Sequence, residues 1–197
     1  MILTSQTPPT DEVLAPLPFS CGMLVVFGAH GGAVRMLDFA ARLSLYGPLY
    51  LLDCGNRSNM YRVARTLRTL TNDPIAMMRN IHLSRAFTCY QVTALLEKAT
   101  QNPGTPVLVL DLLTTFMDES IRVEESSVLF SRALQYLTVM SASAPVLVSA
   151  SPLLSLSAPR FGLLERLKQA ATEVWEENAL PTTQTIDAQQ LSLFADS

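Results

Sequence analysis

The sequence predicts one α/β domain, doubly wound, with a mostly parallel sheet and helices on both faces. Short runs that are apolar at nearly every position alternate with helical patterns, which is typical of parallel strands buried on both sides. The chain has 197 residues, of which 49% are hydrophobic and 16% are charged. That length and composition suffice for one domain with its own core and exclude a disordered or polyelectrolyte chain.

Five strands and five helices are expected to alternate along the chain. Each strand is a short apolar run bounded by polar residues, glycine or proline: MLVVFG at 23–28, PLYLLDCG at 48–55, NIHLSRAF at 80–87, PVLVLDLL at 106–113 and PVLVSA at 145–150. Each helix repeats its apolar residues every three or four positions: GAVRMLDFAARLSLYG at 32–47, an arginine-rich segment at 59–70, CYQVTALLEKAT at 89–100, a long segment at 119–141 and FGLLERLKQAATEVWEEN at 161–178. Residues 1–20 are expected to form an N-terminal extension, 21–178 the core domain and 179–197 a flexible acidic tail.

The protein is expected to be cytoplasmic and associated with the nucleoid, with no membrane contact. The first residues lack the basic segment of a signal peptide, and the uncharged stretch 133–159 contains three prolines, unlike a membrane-spanning helix. Cys21, Cys54 and Cys89 are scattered and odd in number, so the sequence signals neither a disulfide framework nor a zinc site.

A degenerate phosphate-binding loop follows the first strand. The segment GAHGGAVR (28–35) has the length and the strand-to-helix position of a Walker A loop, G-x-x-x-x-G-K-[ST]. Ala33, Val34 and Arg35 stand where that motif has its second glycine, its lysine and its Mg²⁺-binding hydroxyl. Arg35 either neutralises an anion or fills the empty nucleotide space, and a tight turn without any ligand is the alternative. The other candidate loop residues are Gly28, His30, Gly31 and Gly32.

Several further segments resemble motifs of one protein family, and they occur along the chain in the same order as in that family. VLVLDLLTTFMDE (107–119) is a candidate Walker B strand with Asp111 after its apolar run, and NIHLSRAFTCYQ (80–91) matches N-I-x-x-x-R-A-[FY]…Q. Two other stretches are similar to that family. CGNRSNMYRVARTL at 54–67 resembles the stretch after the second strand in which the family has the pattern T-E-x-x-F-x-x-x-R, and Leu129 with Arg132 fit an L-x-x-R helix. Over roughly residues 20–150 the chain resembles the RecA- and RadA-like recombinases, and this resemblance implies a RecA-like P-loop NTPase core.

The departures from that family imply a pseudo-ATPase and not an enzyme. Gly55 stands where the family's catalytic glutamate is expected, and losing a general base typically slows a reaction by about two to four orders of magnitude. The Walker A lysine is absent as well. We therefore expect no catalytic residue, no metal site and no cofactor beyond weak binding of ATP and Mg²⁺. Asp111 is either a Walker B remnant or a buried structural carboxylate.

Arginines between residues 56 and 85 form the candidate DNA-binding face. Arg62, Arg65 and Arg68 recur every three residues on one helix flank, and Arg57 precedes them. Arginines in such a stripe bind phosphates in a salt-dependent manner. A solvated or ion-paired helix face is the alternative, and the family resemblance implies DNA binding elsewhere, in the loops after the fourth and fifth strands.

The tail contains the most specific motif of the chain. Gln190, Leu191, Ser192, Leu193 and Phe194 match the pentapeptide Q-L-[SD]-L-F, by which bacterial polymerases and repair factors dock on the replicative sliding clamp. A short tether that carries a few apolar anchors suits such docking. A terminal segment that packs on its own domain is the structural alternative.

Together these features indicate a non-catalytic DNA repair accessory that acts as a scaffold in translesion synthesis or recombination. The chain resembles the RecA-like accessory subunit of bacterial mutagenesis cassettes, the ImuA- and SulA-related type. That resemblance implies a Y-family-like polymerase subunit or RecA as a partner beside the clamp. A recombination mediator, a weak DNA-dependent ATPase and a non-enzymatic oligomeric scaffold are the alternatives.

Overall fold

The computed structural model describes residues 20–28, 32–151 and 158–177. In these residues six strands form one sheet: β1 (Gly22–Gly28), β2 (Leu49–Asp53), β3 (Ile81–Arg85), β4 (Val107–Leu110), β5 (Pro145–Ala150) and β6 (Glu173–Glu177). Their order is β3-β2-β4-β5-β1-β6, and every neighbouring pair is parallel. The helices are α1 (Ala33–Leu43), α2 (Met60–Leu70), α3 (Pro74–Arg79), α4 (Cys89–Ala99), α5 (Val123–Ser141) and α6 (Ala158–Ala170). The predicted α/β fold with a parallel sheet is confirmed.

The two faces of the sheet hold separate hydrophobic cores because side chains alternate along each strand. Met23 and Val25 of β1 belong to the core formed with α4, α5 and α6. Leu24 and Val26 belong to the core formed with α1, α2 and α3. All four side chains are at most 1% exposed. Burial on both faces explains why the strand segments are apolar at almost every position.

The prediction of one helix over residues 161–178 is wrong for the second half of this segment. Those residues form the edge strand β6, which pairs with β1. Thr172 fixes the start of this strand, since its amide donates to the Met23 carbonyl (2.7 Å) and its hydroxyl accepts from the Met23 amide (3.0 Å). Val174 and Trp175 then enter opposite cores. Pairing with β1 and this two-sided burial outweigh the helical pattern of the segment.

Two differences concern the helices on one face of the sheet. The first helix ends at Leu43 instead of at Gly47, which follows in a turn with a φ of 151°. The short helix α3 is not among the expected elements. Its start signals are present, because Asp73 accepts a hydrogen bond from the Ala76 amide and a proline occupies the first turn.

On the other face, α5 begins at Val123 instead of at residue 119 because other structure occupies the residues between β4 and this helix. Asp111 adopts a left-handed backbone with a φ of 55°, which ends the strand, and a 3-10 helix (Leu112–Met117) follows. With 19 residues α5 is the longest described helix. Within the described residues, no helix combines the length and the apolar character that crossing a bilayer requires.

β2 and β4 lie side by side, yet the connections that follow them leave in opposite directions. The chain continues from β2 outward to the edge strand β3, and from β4 to β5 on the other side. Such a topological switch point opens a crevice at the carboxyl ends of the two strands, where α/β domains bind their ligands. Asp53 ends β2 and Asp111 follows β4, so both carboxylates stand at this crevice.

Candidate functional site

Asp53 is the most buried carboxylate of the switch point, with a relative exposure of 0%. It accepts hydrogen bonds from the amides of Arg57 (2.8 Å) and Ser58 (3.0 Å), from the Ser58 hydroxyl and from Nε of Arg85 (3.2 Å). Burial raises its pKa, but the hydrogen bonds from Ser58, Arg57 and Arg85 together hold the pKa below its usual value. The carboxylate is therefore ionised at neutral pH and fixes the loop after β2 to the end of β3.

Asp111 is likewise satisfied by groups of the protein. Its exposure is 2%, its amide donates to Oγ of Ser149 (3.0 Å), and its carboxylate accepts from the amide and the hydroxyl of Ser151 (both 3.0 Å). Nε of Arg57 lies 3.4 Å from its Oδ2. These contacts favour the structural role of Asp111 over that of a metal-binding remnant. Among the described residues, no group of three or more His, Cys, Asp or Glu side chains is placed so that it could hold a metal ion.

At Gly55, where the sequence resemblance leads us to expect a glutamate, the fold leaves no room for a side chain. A Cβ on this residue would lie 2.6 Å from Cβ and 2.7 Å from Oδ2 of Asp111. The neighbouring Cys54 is buried beside Asp53 and Asp111, and this burial together with the two negative charges raises the pKa of its thiol well above the usual value. The thiol is consequently neutral and unreactive at physiological pH.

The described part of the degenerate phosphate loop is packed against β6. A Cβ on Gly28 would lie 2.7 Å from Cβ of Glu177, and one on Gly32, whose φ is 54°, would lie 2.5 Å from Cγ1 of Val26. Arg35 forms an ion pair with Glu177 at 2.9 Å, and its guanidinium carbon lies 5.7 Å from the ring centroid of Trp175. The Arg35 guanidinium is thus held by β6, and the two glycines permit close packing. His30 and Gly31 lie outside the described residues.

A cavity of about 350 Å³ opens at the switch point. Its lining residues include Asp53, Arg85 and Phe87, and the Phe87 side chain is 71% exposed. The sequence signals neither Phe87 nor the threonines as site residues, because strand ends and the 3-10 helix bring them together only in the fold. The other lining residues are Cys54, Gly55, Asn56, Ala86, Thr114, Thr115 and Asp118.

The polar residues of the segment 80–91 hold the structure together. Nδ2 of Asn80 donates to the Ser44 carbonyl at 2.8 Å, beyond the end of α1. Arg85 binds Asp53, as described above. Thr88 and Gln91 cap α4, because the Thr88 hydroxyl accepts from the Gln91 amide (3.3 Å) and the Gln91 side chain accepts from the Phe87 amide (2.8 Å). Of the L-x-x-R pair on α5, Leu129 packs against the core and Arg132 is exposed.

The structure divides the four candidate DNA-binding arginines into two groups. Arg57 is paired with Asp111, and Arg62 lies 3.1 Å from Asp38. Arg65 and Arg68 are exposed and take part in none of the ion pairs among the described residues. The predicted stripe of Arg62, Arg65 and Arg68 is therefore not one continuous face, since Arg62 turns toward α1.

The clamp motif Gln190–Phe194 lies outside the described residues, as do all of residues 1–19 and 178–197. No protein-family model matches the chain, and no curated protein matches it either.

Proposed function

We propose that this chain is a non-catalytic, RecA-like accessory protein of DNA repair that docks on the bacterial sliding clamp. The observation that carries the proposal is the pentapeptide Gln190–Phe194 after a parallel α/β domain. In this proposal the domain is a scaffold for translesion synthesis or recombination, and a Y-family-like polymerase subunit or RecA is its further partner.

The placement of the sequence motifs supports a RecA-like core. The glycine-rich loop follows β1, and Asp111 follows β4, so both stand at the carboxyl edge of the same parallel sheet. Only β5 lies between these two strands. A phosphate loop and a metal-binding carboxylate need this common edge in order to reach one nucleotide.

The contacts around these motifs support the absence of catalysis. Val34 replaces the lysine that reaches the β- and γ-phosphates in a Walker A loop. The space at Gly55 is filled by Asp111, and Asp111 is engaged by Ser151 and Arg57. Each of these features removes or occupies a group that phosphoryl transfer uses.

The position of the motif after β6 suits docking at a distance. β6 ends at Glu177, and 12 residues (178–189) separate it from Gln190. Fully extended, such a linker spans at most about 40 Å. In a pocket of the clamp, Leu193 and Phe194 would be the buried apolar anchors, and a few such anchors carry most of the binding free energy of a short peptide.

Calorimetric titration of the intact protein with a bacterial sliding clamp tests the proposal. We expect binding that falls at least tenfold in the triple variant Gln190→Ala, Leu193→Ala, Phe194→Ala, because its anchors are lost. The matched control, Thr182→Ala, Thr183→Ala, Gln184→Ala in the linker, should bind like the native protein. ATP with Mg²⁺ should leave the affinity unchanged. Equal binding by the native protein and the anchor variant would contradict clamp docking, and ATP turnover would contradict the non-catalytic role.

A further inference from the structure

Positive charge is concentrated on one helical layer of the domain. Helices α1, α2 and α3, which cover the same face of the sheet, carry six arginines and one aspartate and neither lysine nor glutamate. Helices α4, α5 and α6 on the other face carry five basic and four acidic residues. The first layer therefore presents a positive field, and the second is nearly balanced. The six arginines are Arg35, Arg42, Arg62, Arg65, Arg68 and Arg79.

Within α2 the inner and outer arginines differ in their partners. Asp38 of α1 binds Arg62 at 3.1 Å and the Thr66 hydroxyl at 3.0 Å, which neutralises the inner flank of the helix. Arg65 and Arg68 point to solvent, with no carboxylate paired to them among the described residues. The outer arginines are thus available to an external anion.

An exposed aromatic ring lies on the same outer face of α2. Tyr61 is 72% exposed, and Tyr61, Arg65 and Arg68 have the spacing i, i+4, i+7 that places side chains on one flank of a helix. Along the helix axis this face extends over about 10 Å. Guanidinium groups bind phosphates with paired N–H donors, and an exposed ring offers a surface on which a base stacks.

From this arrangement we infer that the outer face of α2, formed by Tyr61, Arg65 and Arg68, binds single-stranded DNA. Charge complementarity selects a polyanion, and the ring beside the two arginines favours unpaired bases over a duplex. The choice of DNA over RNA rests on the proposed role in DNA repair.

The loops after β4 and β5 are less suited to DNA. Residues 111–121 hold three acids and no base, and residues 151–157 hold no charge. The acids of residues 111–121 would repel phosphates, and residues 151–157 offer phosphates no positive charge. The face on α2 thus lies apart from the loops at which the family resemblance implies DNA binding.

Fluorescence anisotropy with a labelled 20-nucleotide single strand tests this inference on the full chain. The double variant Arg65→Gln, Arg68→Gln should lose about 25-fold in affinity at 0.1 M salt and reduce the slope of log K against log salt by about 1.4, as expected for two lost phosphate contacts. The matched control, Lys98→Gln, Arg132→Gln, removes two exposed charges from the other layer and should bind like the native protein. Tyr61→Ala should lose about tenfold with an unchanged slope, and Tyr61→Phe should bind normally.

Three results would overturn the inference. One is no measurable binding of the single strand by the native protein. Another is an equal loss in the arginine variant and in the control on α4 and α5, which would indicate a general effect of charge. The third is equal affinity for a duplex or an RNA of the same sequence. Because Tyr61, Arg65 and Arg68 are exposed, we expect the variants to have the same melting temperature as the native protein. Clamp binding is measured on the same samples, so a failure of DNA binding can be told apart from a failure of the proposed clamp docking.

Discussion

Gly55, in the loop after β2, lies against the side chain of Asp111 at the end of β4. The loop reaches this position only because Gly55 has no side chain. Asp111 is in turn held by Ser151 and Arg57, so it has little freedom to move aside. A larger side chain cannot be accommodated at residue 55 unless the crevice is rebuilt.

Replacing Gly55 by alanine should lower the free energy of unfolding by about 2 kcal/mol, because the new Cβ overpacks a filled site. Urea denaturation of the variant measures this change. Gly162→Ala is the matched control, since nothing lies within 4 Å of a Cβ on this residue of α6. That control should gain about 0.5–1 kcal/mol from the better helix propensity of alanine. A Gly55→Ala variant as stable as the native protein would show that the crevice yields easily.

Asp53 makes the stability of the domain depend on pH. Its pKa in the folded state lies below the usual value near 4, so its contribution is present at neutral pH and is lost as the pH falls through the folded-state pKa. Asp53→Asn should lower the free energy of unfolding by about 2 kcal/mol at pH 7, since several hydrogen bonds to a charged group are lost.

Urea denaturation at pH 7 and at successive values down to pH 3 measures this effect. The difference between the native protein and Asp53→Asn should shrink as the pH falls below 4. Glu119→Gln, an exposed acid without an ion pair among the described residues, should follow the native profile. A constant difference across the whole range would exclude a charge effect of Asp53.

The sequence shows some of these residues but not how they meet. Asp111 is recognisable because it interrupts an apolar run at the point where a strand ends. Asp53 and Arg85 are 32 positions apart, and they meet only because the parallel register pairs them at the ends of β2 and β3. Likewise, the division between paired Arg62 and unpaired Arg65 depends on how α1 packs on α2.

At the scale of the elements, capping explains much of the segment between β3 and α4. Thr88 and Gln91 supply oxygens to amides at the start of α4 that have no partner within the helix. The match of this segment to a recombinase motif therefore has a physical basis in helix initiation. Arg85 adds the link to Asp53.

Thr88→Ala should lower the free energy of unfolding by about 1 kcal/mol through loss of this cap. Thermal or urea denaturation provides the measurement. Thr138→Ala, in the exposed face of α5, is the control and should change stability by no more than about 0.5 kcal/mol. Comparable losses in the two variants would indicate that capping at α4 is unimportant.

The strands that are buried on both faces were predictable from the sequence, and so was the edge strand β3, but the other edge strand, β6, was not. β1, β2, β4 and β5 are apolar because cores lie on both of their faces. β6 has the sequence EVWEE, which contains three acids and only one apolar residue for each of the two cores. No turn signal in the sequence separates it from the preceding helix. Its identity is determined by pairing with β1, which no local pattern reveals.

At the scale of the whole molecule, the helix with the proposed DNA face and the segment with the proposed clamp motif follow different strands of the sheet. α2 follows β2, and the tail follows β6, with β4, β5 and β1 between these strands. At the usual spacing of strands the two exits are about 19 Å apart. In the two proposals taken together, the single strand binds on α2 and the clamp binds beyond β6, so the two ligands would not compete for one surface.

Trp175 gives the domain an optical reporter of its own. It is the single tryptophan of the chain, and it is 9% exposed, with its ring centroid 5.9 Å from that of Phe39. Indole emission responds to the polarity and the charges around the ring, and the Arg35 guanidinium lies directly beside it. The tryptophan emission of the native protein therefore originates at one point, where β6 meets α1, and a change at that junction is visible without any label.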